Sequence, residues 1–301
     1  MRRKAVLWDA VDARKQREAD AWRAAAEAAG VPEAAAAGIY AATLADAEAA
    51  LASNESLASV EREIAKDIKR TFPWMESYAT RESATRNVLL AYGHRNPAVG
   101  YCQSLNYICG ALLMSPLPEE DAFFSLCTIV EDLLPGDYYT HDLLGAQIDQ
   151  LVFAELMRQD LPELTERLAE LECPMSLFSL QWFMCLFAKD LPLALTLRVW
   201  DVMFVYGDHA LFAFALALLQ VADVRKPAGR NLIACWSQSG CLLVACDGSA
   251  GGRAAAARVP EPRGALGGAQ EPWPRPRPAR RRHLPSARAA LARRTHAHLA
   301  R

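Results

Sequence analysis

From residue 53 to residue 222 the apolar side chains recur at three- and four-residue steps, and no run alternates with the period of two that a half-buried strand needs. That pattern confines the segment to a stack of amphipathic helices, so the expected fold class is all-α. In SNESLASVEREIAKDIKR, Val60, Ile64 and Ile68 form one stripe, Ser53, Asn54 and Ser56 are capping candidates, and the helix stops before Phe72-Pro73. ESATRNVLLAYGHRNPAVG predicts a second helix ending at Gly93, then a turn at Asn96-Pro97. PLPEEDAFFSLCTIVEDLLPG predicts a third, with acidic residues in its first turn, where the helix dipole favours them. Further helices are expected at about 141–158, 162–171 and 176–188. In DLPLALTLRVWDVMFVYG, Leu193, Leu197, Trp200 and Phe204 share a face, and Gly207 stands where a C-cap belongs. DHALFAFALALLQ is the last helix, and no internal repeat is present.

The pattern fails after residue 224. Residues 225–301 hold 15 of the 33 Lys and Arg but only 3 acidic residues, Asp247, Glu261 and Glu271, which leaves 18 basic and 32 acidic residues before them. A net charge of −2 therefore divides into −14 and +12. The expected organisation is a helical domain over 1–224 and a low-complexity basic tail over 225–301. The tail is Gly, Pro, Ala and Arg with few apolar anchors, so it is expected to be disordered. Its charge could attract nucleic acid or acidic lipid, but Trp273 alone interleaves the Arg-rich stretch with an aromatic ring, and nucleic acid is not the expected partner. At the other end, residues 1–50 are Ala-rich with helical spacing, broken near Gly30-Val31-Pro32 and Gly38.

The longest apolar run, ALFAFALALLQVA, is interrupted at Gln220, short of the roughly 18 residues of a membrane span. The start becomes charged too soon for a secretory signal, so the expected location is cytoplasmic. Cys102, Cys109, Cys127 and Cys185 lie in apolar company without C-x-x-C pairs and read as buried free thiols. Cys235, Cys241 and Cys246 lack a fourth ligand at a metal-binding distance in sequence, and no metal site is expected.

The chain carries no glycine-rich phosphate loop, no G-x-S-x-G and no H-E-x-x-H. His94, His141 and His209 stand apart, and Glu131-Asp132 reads as a solvated helix face. What remains is Asp67 and Arg70, three apart in IAKDIKR, and Tyr101 and Gln103 in GYCQ. Taken alone, the first pair reads as a surface ion pair worth a few tenths of a kcal/mol. Taken alone, the glutamine reads as a helix cap.

Together and in this order they resemble a known family. IAKDIKRTFP resembles the I-x-x-D-x-x-R motif of the TBC family of Rab GTPase-activating proteins, and NPAVGYCQSLNYI resembles its Y-x-Q motif. SLQWFMCLFAKDLPLALTLRVWDVMFVYG resembles its W-F-x-x-L-F and R-x-W-D block, so the resemblance spans about 55–222 in three ordered motifs. It implies a multi-helical activator that is not itself an enzyme but lends residues in trans to a Rab-type small GTPase in vesicle traffic. By the resemblance, Arg70 is an arginine finger and Gln103 a glutamine finger that orients the attacking water, with Asp67 and Tyr101 in support. A positioned guanidinium suits this work because its planar fork can bridge two phosphate oxygens. GTP and Mg²⁺ would arrive with the GTPase, so no cofactor or metal of the chain's own is expected, and membranes would be met peripherally, on endomembranes, through the partner. Trp182, Phe183 and Trp200 read as core, Asp201 as a cap, and Pro97, Gly100 and Asn106 as shaping the segment around Gln103.

Three departures from the family pattern stand out. Ser104 occupies a position where the family often has glycine, and its small size predicts tolerance. RRKAVLW matches only part of the family's opening R-x-x-W region, with Trp8 as its tryptophan. After Gln220 the chain turns to VRKPAGRNLIACWSQSG where the family continues with helices, so the apolar faces of the last helix are expected to lie exposed. The alternative reading is therefore a non-catalytic helical module that binds a GTPase or another partner without stimulating it.

Overall fold

The structure, a computed structural model, describes residues 12–18, 20–21, 38–115 and 117–224, together with the backbone of 232–237, 240–245 and 255–258. Up to residue 224 every regular element described is a helix. After α1 (residues 12–18) come α2 (Ile39–Ala50), α3 (Glu55–Ile68), α4 (Glu76–Ala79), α5 (Glu82–Arg95) and α6 (Leu105–Met114). Then follow α7 (Glu119–Cys127), a π-helical segment (Thr128–Leu133), α8 (Leu144–Asp160), α9 (Pro162–Glu170), α10 (Ser176–Met184), α11 (Leu193–Tyr206) and α12 (His209–Val224). Three short strands in the basic tail, β1 (Leu232–Ser237), β2 (Gly240–Ala245) and β3 (Ala255–Arg258), pair antiparallel in the order β1-β2-β3, in a region where the sequence suggested disorder. The rest of the tail, Cys246 and Trp8 lie outside the described residues.

The predicted stripe of α3 faces inward. Ile64 and Ile68 are buried with Leu57, and Val60 packs beside them. Of the three capping candidates Asn54 does the work, its side chain accepting from the Leu57 amide at 3.1 Å. α5, however, does not end at Gly93; it runs to Arg95. A Cβ on Gly93 would lie 3.0 Å from Val60 and 3.2 Å from the Gly100 carbonyl oxygen, so the glycine admits the following loop rather than ending the helix. That loop carries the GYCQ motif.

Two other expected helices are divided. The third is α-helical only to Cys127, after which a π-turn aims Glu131 and Asp132 at Arg14. Arg14, 6% exposed, pairs with Asp132 at 2.7 Å, with Glu18 at 2.9 Å and with Glu131. Arg95 joins through Glu18 at 2.9 Å. The acidic pair read as a solvated face thus seats α1 against the domain. The helix expected over 176–188 ends at Met184, because Leu186 (φ 46°) and Phe187 (φ 64°) turn left-handed.

Trp182, Phe183 and Trp200 belong to the core, as the sequence indicated. So does one face of α12: Leu211, Ala215 and Leu219 are buried at four-residue steps against α8, α10 and α11. The expected exposure of this face is corrected, because earlier helices of the same domain already cover it. The exposed large apolar residues include Leu177, Val202 and Tyr206, and Val221 near the end of α12. Gly207 closes α11 as predicted, at φ 86° with its amide on the Met203 carbonyl. Among the described residues, no helix is long and apolar enough to cross a membrane.

Candidate functional site

Asp67 sits in the last turn of α3, where a charged residue ordinarily meets water, yet its side chain is 4% exposed. Each carboxylate oxygen holds a different segment. Oδ1 pairs with the Arg70 guanidinium, and Oδ2 accepts from the Tyr101 hydroxyl at 2.6 Å. The Arg70 side chain stays 58% exposed, so the pair orients the guanidinium without covering it. Burial first, and then the hydrogen bond to Asp67, push the Tyr101 phenol well above its ordinary range, which keeps it a donor at any physiological pH.

A second chain of bonds runs alongside. The Ser104 amide donates to Asn106 Oδ1 at 3.1 Å, Asn106 Nδ2 donates to Thr71 Oγ1 at 2.7 Å, and Thr71 donates to the Asp67 carbonyl at 2.7 Å. Asn106 is 1% exposed and Thr71 2%, so this bridge is protected from competing water. The Tyr107 hydroxyl adds a longer contact to the Arg70 carbonyl at 3.4 Å. Beneath it the Tyr107 ring meets Phe72 edge-on at 5.4 Å, and Phe72 meets Tyr78 at 5.5 Å. Gly110 lets these rings close on α6, since a Cβ there would lie 3.0 Å from both Phe72 and Tyr78. Two segments more than 30 residues apart in sequence are thereby locked at one place.

Gln103 is exposed in the turn before α6, and among the described residues nothing hydrogen-bonds its carboxamide. It is not the helix cap its position suggested, because α6 begins at Leu105 with Ser104 at the N-cap. Ser104 has φ 122°, a backbone angle that favours glycine. Serine is accommodated there under strain of about 1–3 kcal/mol, which the amide bond to Asn106 helps to hold. Gly100, at φ 56° and 3.3 Å from Val60 by its absent Cβ, makes the other tight turn of the loop.

The structure therefore brings three of the four predicted residues into contact, Asp67 with Arg70 and with Tyr101, and leaves Gln103 exposed two residues after Tyr101. Sequence reasoning missed Thr71 and Tyr107, whose only signal was adjacency to the motif residues. Neighbouring Cys102 offers no nucleophile, since burial and then the Asp67 charge push its thiol up to about 11. Among the described residues no cluster of His, Cys, Asp or Glu could hold a metal ion. A forked cation and a carboxamide on a rigid base can instead neutralise phosphate charge and position a water. Tyr101→Phe tests the junction. It leaves Asp67 Oδ2 buried without its donor, and the chain is expected to lose about 1.5–3 kcal/mol in urea unfolding. An unchanged midpoint would mean that Tyr101 does not hold Asp67.

Comparison with known proteins bears on this junction. The Rab-GTPase-TBC domain profile matches residues 43–224. TBC1 domain family member 2B of Xenopus tropicalis is 39% identical over 166 residues, which cover 54% of this chain and 18% of that protein. Small G protein signaling modulator 3 of Rattus norvegicus is 39% identical over 166 residues, covering 54% of this chain and 22% of that protein. This chain thus spans about a fifth of the length of the curated relatives it matches. A crystal structure of the Chlamydomonas flagellar RabGAP TBC domain aligns at 25% identity and a TM-score of 0.49, over 73% of this chain and 83% of that one. The profile match runs from α2 to the end of α12, more than half of the chain and through every residue of the junction, and the chain belongs to the Rab-GTPase-TBC domain family.

Proposed function

We propose that this chain accelerates GTP hydrolysis by a Rab-type small GTPase, in the regulation of vesicle traffic, by inserting Arg70 and Gln103 beside the nucleotide that the GTPase carries. One observation carries the reading: a single buried carboxylate, Asp67, holds both the Arg70 guanidinium and the tyrosine two residues before Gln103. Arg70 bridges oxygens of the transferring phosphoryl group and offsets its developing charge. Gln103 orients the attacking water through its carboxamide, which donates and accepts. Asp67 and Tyr101 are positioning residues that set the separation of the two fingers. Catalysis by positioning is sensitive at the ångström scale, which accounts for a buried rather than solvated junction. GTP and Mg²⁺ belong to the partner, and the chain works in the cytoplasm, meeting endomembranes through that partner.

The test is single-turnover GTP hydrolysis across a panel of purified Rab GTPases. The wild-type chain is expected to accelerate at least one of them, and Gln103→Ala to lose on the order of 10²-fold of that acceleration with its helical circular dichroism intact. Equal rates for variant and wild type would remove Gln103 from the mechanism. Binding without acceleration by the wild type would select the non-catalytic module. That alternative rests on the sequence turning to VRKPAGRNLIACWSQSG where the family continues with helices.

A further inference from the structure

The turn between α10 and α11 contributes a group that the two fingers do not explain. Leu186 and Phe187 are consecutive, fully buried and left-handed, at φ 46° and 64°. Such angles are unfavourable for branched and aromatic residues and persist only where the surroundings impose them. Here two buried side chains impose them: Trp200 Nε1 donates to the Leu186 carbonyl at 2.8 Å, and the Tyr139 hydroxyl donates to the Met184 carbonyl at 2.8 Å. The product of this turn is Lys189. Its ammonium lies 5.6 Å from the centre of the Tyr107 ring and donates to Gln181 Oε1 at 2.5 Å. Gln181 is held in turn by Asp190, whose Oδ1 accepts from Gln181 Nε2 at 2.6 Å.

Tyr107 is the ring whose hydroxyl reaches the Arg70 carbonyl, so one aromatic side chain separates the lysine from the base of the arginine finger. Among the described residues no carboxylate lies within ion-pair distance of Lys189, as also holds for Lys69, Arg81 and Arg167; what sets Lys189 apart is the hydrogen bond that fixes its ammonium beside the Tyr107 ring. Gln181 occupies one of its three N–H donors and fixes the ammonium, leaving two for another group. Asp190 is 5% exposed and its Oδ1 aims Gln181, while its second oxygen meets no hydrogen-bond partner; the Lys189 charge acts on it through space without a direct ion pair.

We propose that Lys189 reads the partner: its ammonium pairs with an acidic side chain of the docked GTPase, beside the fingers, and so contributes to which GTPase is accepted. This rests on the proposed function for the identity of the partner. A protein carboxylate is favoured over the nucleotide because the ammonium lies against the Tyr107 ring and not against the Arg70 guanidinium. A compact, preorganised point charge suits such a rim contact, which governs affinity and salt dependence more than chemistry.

The experiment measures two quantities for each variant. One is the Kd for the GTPase loaded with a non-hydrolysable GTP analogue, and the other is the KM and kcat of stimulated hydrolysis. Lys189→Glu is expected to raise Kd and KM by about ten-fold or more with kcat within about two-fold of wild type, as for loss of uniform binding. Lys189→Met keeps the stem on Tyr107, so it is expected to show a smaller rise and provides the reading should the glutamate variant melt early. Lys189→Arg restores affinity. Unchanged Kd in both the Glu and Met variants would overturn the proposal, as would a fall in kcat at constant KM, which would place the ammonium on the reacting phosphate. Wild-type binding without stimulation would sink the finger mechanism alone, with Lys189 still read from Kd. Absence of wild-type binding to every GTPase in the panel would overturn both.

Discussion

Arg70→Ala is expected to lower the stimulated rate of GTP hydrolysis by about 10³-fold or more, while leaving the fold and the concentration needed for half-maximal binding nearly unchanged. The magnitudes separate this from a structural effect. A thousand-fold is about 4 kcal/mol of transition-state stabilisation. The Arg70 side chain is 58% exposed but Asp67 only 4%, so loss of the pair is expected to cost stability about as much as loss of the Tyr101 donor, about 1.5–3 kcal/mol and below the effect on rate. Its removal leaves Asp67 with the Tyr101 hydroxyl, so the junction retains a donor. Arg70→Lys keeps the charge but not the planar fork, and most of the loss is expected to persist. Single-turnover hydrolysis beside a thermal melt checks both halves. A rate within a few-fold of wild type would eliminate the arginine-finger reading, and a melt lowered as steeply as the rate would recast Arg70 as structural.

Trp200→Ala is expected to give the largest loss of stability, about 3–5 kcal/mol. The indole is 2% exposed, and its N–H satisfies the Leu186 carbonyl inside a left-handed turn. Truncation opens a cavity and also leaves that carbonyl without its donor. At roughly 2–4 °C per kcal/mol for a domain of this size, Tm is expected to fall by about 10 °C. Trp200→Phe keeps one aromatic ring in the core while removing the donor and the rest of the indole, and is expected to lose less than the alanine variant, about 1–3 kcal/mol. Circular dichroism melts and urea titrations read both variants. Should the two lose the same amount, the aromatic ring that phenylalanine retains would contribute nothing to stability at this position.

The helices and the candidate site were legible to different depths. Val60, Ile64 and Ile68 announced α3 because amphipathic spacing is written within a few residues. Asn54 and Gly207 announced helix ends for the same local reason. Gly93 misled, because a glycine that closes a helix and one that admits a neighbouring loop look alike until the loop is placed. Glu131-Asp132 misled in the same way, since their partner Arg14 lies more than 110 residues away.

The sequence by itself determined that residues 53–222 fold as helices and that Asp67, Arg70, Tyr101 and Gln103 stand in family order. Only the tertiary structure decided that Asp67 is buried and shared between Arg70 and Tyr101. It also decided that Asn106 and Thr71 brace the junction, and that a strained turn brings Lys189 onto the Tyr107 ring, whose hydroxyl reaches the Arg70 carbonyl. Periodicity and capping are local properties, settled by backbone geometry over one or two turns. The meeting of residues 67 and 101, or of 107 and 189, depends on how whole helices cross and which ones exclude water, and that follows from packing across the entire core.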